Sequence, residues 1–92
     1  GDLMLSHNGE KPVKIASNVL EYEIGDDFAV YSKDQKIYVI LLEKPLQAQV
    51  ISGDMIRAKL ASLNGNRLCF YDVTDDFGLI DSVRYLVISK EE

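Results

Sequence analysis

Hydrophobic positions in this chain recur every second residue, in short runs separated by turn residues. In "NVLEYEI" (18–24), Leu20, Tyr22 and Ile24 fall on one side and Val19, Glu21 and Glu23 on the other, the alternation of a half-buried strand. Gly25-Asp26-Asp27 interrupts it, and "FAVYS" (28–32) resumes with β-branched and aromatic residues. "KDQK" (33–36) reads as a tight turn into "IYVILL" (37–42). That run is apolar on both faces, with Ile37, Val39 and Leu41 on one and Tyr38, Ile40 and Leu42 on the other. The pattern predicts a central strand covered on both sides. Pro45 is expected to end it, because proline cannot donate to a ladder. "DLML" and "VKIA" flank the turn-rich "SHNGEKP" (6–12), and "LQAQVIS" (46–52) and "VRYLVIS" (83–89) read as further strands. "TDDFGLIDS" (74–82) reads as a loop with room for one helical turn, and the terminal "KEE" as a solvated tail.

The segment "MIRAKLASL" (55–63) supports two readings. As a helix over 54–64, Asp54 caps it, Ile56, Leu60 and Leu63 share a face, and Gly65 stops it. As a strand, Ile56, Ala58 and Leu60 point inward while Arg57 and Lys59 face water. Asn64-Gly65 is then the turn of a hairpin, "AKLASL"–NG–"NRLCFYDV". The strand reading is preferred. The predicted fold class is all-β: an antiparallel meander of about seven to nine strands closing as a small sandwich or barrel. The alternative is α+β with the helix at 54–64. The 92 residues suit a single domain, 1–92, with 1–12 partly flexible.

One register of internal similarity places Pro12 with Pro45, Ser17 with Ser52 and Tyr31 with Tyr71. Residues 2–40, with the Asn-Gly turn, "KIA", "NV–Y" and "–VYS–D–" strands, resemble the tandem β-meander units of bacterial β-propeller-type repeat proteins. Residues 41–89 match that pattern poorly. A closed propeller needs about 4–8 blades, and this chain supplies about two. The resemblance therefore implies closure as a sandwich or barrel, or pairing with another copy, and a role in binding and sensing. The chain begins with Gly1 rather than Met, which leads to the expectation of a piece of a longer, extracytoplasmic or repeat protein.

Composition narrows the chemistry. The net charge of −5 argues against a general binder of nucleic acid or anionic membrane. No apolar run approaches the roughly 20 residues that span a bilayer as a helix. Cys69 is the only cysteine, so no intrachain disulfide forms; its place between Leu68 and Phe70 predicts a small buried hydrophobe. His7, the only histidine, sits in a polar turn and reads as solvated. One cysteine and one histidine do not make a zinc site, and the six glycines are scattered singly rather than forming a phosphate loop. Asp26-Asp27 and the group Asp72, Asp75, Asp76 and Asp81 read as turn carboxylates, the latter without EF-hand spacing. The expectation is no catalytic residue, no metal and no cofactor.

Five tyrosines are many for this length. Tyrosine combines a large apolar body with a polar tip and suits interfaces. Tyr31, Tyr38 and Tyr71 are the candidate contact residues. The functional expectation is a non-catalytic binding module whose partner is another protein or a second copy, met through strand edges. The alternative is a small nucleic-acid-binding β-barrel, in which Arg57, Lys59, Arg67 and Arg84 cluster on one sheet face beside tyrosines. Nothing in the sequence fixes the compartment.

Overall fold

A computed structural model describes residues 1–6, 9, 11–52, 57–73 and 80–88, with backbone alone at 80 and 81. Among the described residues nine strands follow one another: β1 (Leu3–Leu5), β2 (Val13–Ala16), β3 (Glu21–Ile24), β4 (Phe28–Lys33), β5 (Lys36–Leu41), β6 (Lys44–Val50), β7 (Ala58–Asn64), β8 (Arg67–Val73) and β9 (Ile80–Val87). Every pairing is between chain neighbours and antiparallel, giving sheets β1-β2, β3-β4-β5-β6 and β7-β8-β9. The fold is all-β, and no described residue is helical. It closes by stacking its sheets, not as a barrel.

The four-stranded sheet is the middle layer. Phe28, Val30, Ile37 and Val39 on one face pack with Ala58, Leu60, Leu63, Leu68, Phe70 and Ile88 of the third sheet and its end. Ala29, Tyr31 and Ile40 on the other face pack with Leu3 and Val19 from the β1-β2 side. This explains why β4 and β5 are apolar on both faces: each residue of the alternation has a core to enter. Burying one such side chain contributes about 1.5–3 kcal/mol. The stretch 1–12, expected to be partly loose from its turn residues, supplies β1, and Leu3 lies in the core.

The ambiguous segment resolves as strand over Ala58–Asn64; residues 53–56, where a helix would have begun, lie outside the described residues. Its hairpin turn sits one residue later than expected. Asn64 pairs with Arg67, so the loop is Gly65-Asn66, with Gly65 at φ +64°. Glycine first, in the left-handed region, is the demand of a II′ turn, whereas Asn-Gly at the centre would have made I′. The β4-β5 turn does have both central residues left-handed, Asp34 at +51° and Gln35 at +65°. Pro45 does not end β5, which stops at Leu41. It lies inside β6, an edge strand, where a missing N–H is tolerated.

Where the β5-β6 ladder runs out, a side chain continues it. The Ile51 N–H donates to the Ile37 carbonyl at 3.0 Å. The Ile37 N–H then donates to the Ser52 hydroxyl at 2.7 Å, and that serine is fully buried. The Arg57 N–H likewise donates to the buried Asp72 carboxylate at 2.9 Å, fastening the start of β7 to β8.

Candidate functional site

The three candidate tyrosines do not form one surface. Tyr31 and Tyr38 stand opposite each other on β4 and β5, with rings stacked at 5.1 Å and 10°. Tyr31 is 4% exposed, within the core against the β1-β2 layer. Burial, and then the neighbouring Tyr38, push its phenol above the ordinary value. A partner cannot reach Tyr31 without opening that core. Tyr71 lies two layers away, half-buried on β8.

Tyr71 does belong to an apolar face. On β8, Leu68, Phe70 and Asp72 point into the stack, so Cys69 and Tyr71 point out. Cys69 is thus half-buried on the outward face, not a core residue as its apolar neighbours suggested. The β8-β9 register sets Cys69 opposite Tyr85, Tyr71 opposite Val83 and Arg67 opposite Val87. Val83, Tyr85 and Val87 form the outermost row, 49%, 78% and 61% exposed. A trough of about 300 Å³ runs between Tyr85 and Val87 of this row and Ser62, Asn64, Arg67 and Cys69.

Among the described residues, the same row is also where unspent backbone hydrogen bonds lie. In an antiparallel ladder, alternate residues exchange both bonds with the neighbour and the others point away. The Ile88 N–H donates to the Asn66 carbonyl at 2.8 Å, in phase with the β8-β9 register. Ser82, Arg84 and Leu86 therefore bond to β8, and Val83, Tyr85 and Val87 turn their N–H and C=O groups to the open edge. Sequence reasoning recognised β9 as the last strand but missed this row. The available signal was that a meander's last strand is an edge by construction, so exposed apolar residues there stand beside unpaired backbone.

Other apolar ground is less open to a strand. Leu20, Tyr22 and Ile24 are exposed, the latter two at the margin of the β1-β2 layer beside Leu3, Met4 and Ile15, but Glu21 and Glu23 alternate with them. A second trough, about 430 Å³, lies between β5-β6 and Ile88, with Phe28, Val39 and Leu41 as apolar wall and Lys44, Gln47 and Gln49 at its rim. The basic residues do not gather on one face. Lys59 and Arg67 point outward, while Arg84 lies across the sheet over the Phe70 ring, 5.8 Å from its centre. Lys59 and Arg67 therefore do not share a face with Arg84, as the nucleic-acid alternative expected of them.

Among the described residues, no group of three or more His, Cys, Asp or Glu could hold a metal ion. His7 and Asp75-Asp76 lie outside the described residues, and Asp81 is described only in its backbone. Among the described residues no helix is long and apolar enough to cross a membrane. No family model, curated protein or solved structure matches the chain.

Proposed function

We propose that this chain is a non-catalytic protein-interaction module that binds through the open edge and outward face of its third sheet. The observation that carries the reading is the coincidence on β9 of an exposed apolar row and outward-facing backbone groups at Val83, Tyr85 and Val87. An extended segment added there gains main-chain bonds from the edge and side-chain contacts from Val83, Tyr85 and Val87, the mode of strand addition. A contiguous exposed apolar surface rimmed by polar residues is the usual mark of such a site. The proposal also places the chain within a larger repeat protein, on the resemblance of residues 2–40 to tandem β-meander units.

A photo-crosslinking amino acid at position 85, in the protein in its native host, tests this. The expected result is adducts of discrete mass from position 85 and none from position 14 on the β1-β2 hairpin. The absence of adducts at 85, or equal adducts at both positions, would overturn the reading.

A further inference from the structure

We infer that the strand received by the β9 edge is β9 of a second copy, paired antiparallel about a twofold axis through Tyr85. The inference rests on the binding mode proposed above and names its partner.

Edges that must stay single carry devices against pairing: charges, proline or short length. Here β1 is only three residues long, β3 carries Glu21 and Glu23, and β6 begins with Lys44-Pro45. The edge strand β7 carries Lys59 and packs across the middle sheet, to which the Ala58 N–H is tied through the Gln35 carbonyl at 2.9 Å. β9 is the longest described strand; its one acid, Asp81, is second in the strand, and residues 82–88 contain neither proline nor an acid. In a chain with fifteen acidic residues and a net charge of −5, this stretch sets no carboxylate of its own against another copy.

The pattern also selects a register. Bonded pairs across the new seam must join residues whose backbone groups face the edge, namely 83, 85 and 87. An axis at Arg84 would set two guanidinium groups directly opposite, which is unfavourable, and one at Leu86 would leave Val83 without a mate within β9. An axis at Tyr85 pairs Tyr85 with its mate and Val83 with Val87 in both directions, and sets Arg84 opposite Leu86. Every member of the exposed row then has an apolar neighbour. Six backbone hydrogen bonds close, by the pairing rule for antiparallel strands. The third sheet of each copy becomes half of one six-stranded sheet with a continuous outward face, an isologous interface of the commonest kind.

Light scattering and cysteine pairing test this together. The wild-type chain is expected to show twice its monomer mass. Tyr85→Pro removes an N–H that the fold does not use, so it should leave β-sheet circular dichroism intact and raise the dimer dissociation constant roughly tenfold or more. Tyr85→Lys, which keeps the N–H, guards against a proline-specific folding defect and should also weaken the dimer. In a Cys69→Ser background, Val83→Cys mixed with Val87→Cys should form a disulfide on mild oxidation, and Val83→Cys alone should not. A monomeric wild-type mass at about 0.1 mM, a concentration at which any dimer with a dissociation constant below about 0.1 mM holds most of the chains, would overturn the inference. So would a dimer indifferent to both substitutions at Tyr85, or a disulfide from Val83→Cys alone. A monomer whose position 85 still crosslinks to another protein would end the self-pairing while keeping the interaction module. A monomer with no crosslink would end both.

Discussion

The backbone of Gly25, between β3 and β4, lies directly against the carbonyl of Gly65 in the β7-β8 turn. A Cβ at Gly25 would collide with that carbonyl oxygen and approach the Leu63 side chain at 3.3 Å. Two turns from different sheets thus meet backbone to backbone, which fixes how the third sheet sits on the middle one. Gly25→Ala is expected to force this contact apart and cost about 1–3 kcal/mol, the range for overpacking. Gly65→Ala meets open space but must keep φ +64°, and should cost about 1–2 kcal/mol from conformation alone. Urea midpoints compare the two, and Gly65→Asn should recover part of the second loss because asparagine tolerates the left-handed region. A neutral Gly25→Ala would contradict the close contact.

Ser52 is a second fastening. Removing its hydroxyl leaves the Ile37 N–H without its acceptor in a site sealed from water. Ser52→Ala should cost about 1–3 kcal/mol, and Ser52→Thr, which keeps the hydroxyl, should cost less. Chemical denaturation of the two variants side by side is the check.

The β4-β5 turn offers a gain. Gln35 holds φ +65° with a full side chain, where glycine would meet no steric cost. Relief of the left-handed strain exceeds the added entropy of an unfolded glycine, so Gln35→Gly should stabilise by about 0.5–1 kcal/mol. The melting temperature should rise; a fall would mean that the glutamine side chain contributes to folding.

Tyr31 ties stability to alkaline pH. Its folded phenol titrates above the unfolded one because burial, then Tyr38, disfavours the phenolate. Below the ordinary tyrosine value of about 10 both states hold the proton and the contribution is fully present. As pH rises through that value the unfolded state releases its proton first, and stability falls. Tyr31→Phe should flatten the stability profile above about pH 10 while leaving neutral-pH behaviour close to wild type. An unchanged alkaline slope would contradict the assignment.

Much of the fold was legible because its strands obey a two-residue period. The doubly apolar run 37–42 announced a central strand, and β5 is interior with cores on both faces. Pattern alone could not say how far each layer extends. Leu20, Tyr22 and Ile24 alternate as a buried face would, yet all three are exposed, Tyr22 and Ile24 only bordering the β1-β2 layer. The same limit applied to the tyrosines. Tyr31 and Tyr38 read like surface aromatics because residue type does not reveal that a two-stranded layer covers them. The outward row of β9 emerged only once register and hydrogen-bond phase were known, since these decide which backbone groups face the edge.

Amide hydrogen exchange along β9, followed as a function of protein concentration, tests the central claim most directly. The edge-facing amides of Val83, Tyr85 and Val87 should exchange rapidly in dilute protein and gain protection as concentration rises. Those of Arg84 and Leu86, bonded to β8, should stay protected throughout. Edge amides that remain fast at every concentration, with no partner present that slows them, would contradict the account.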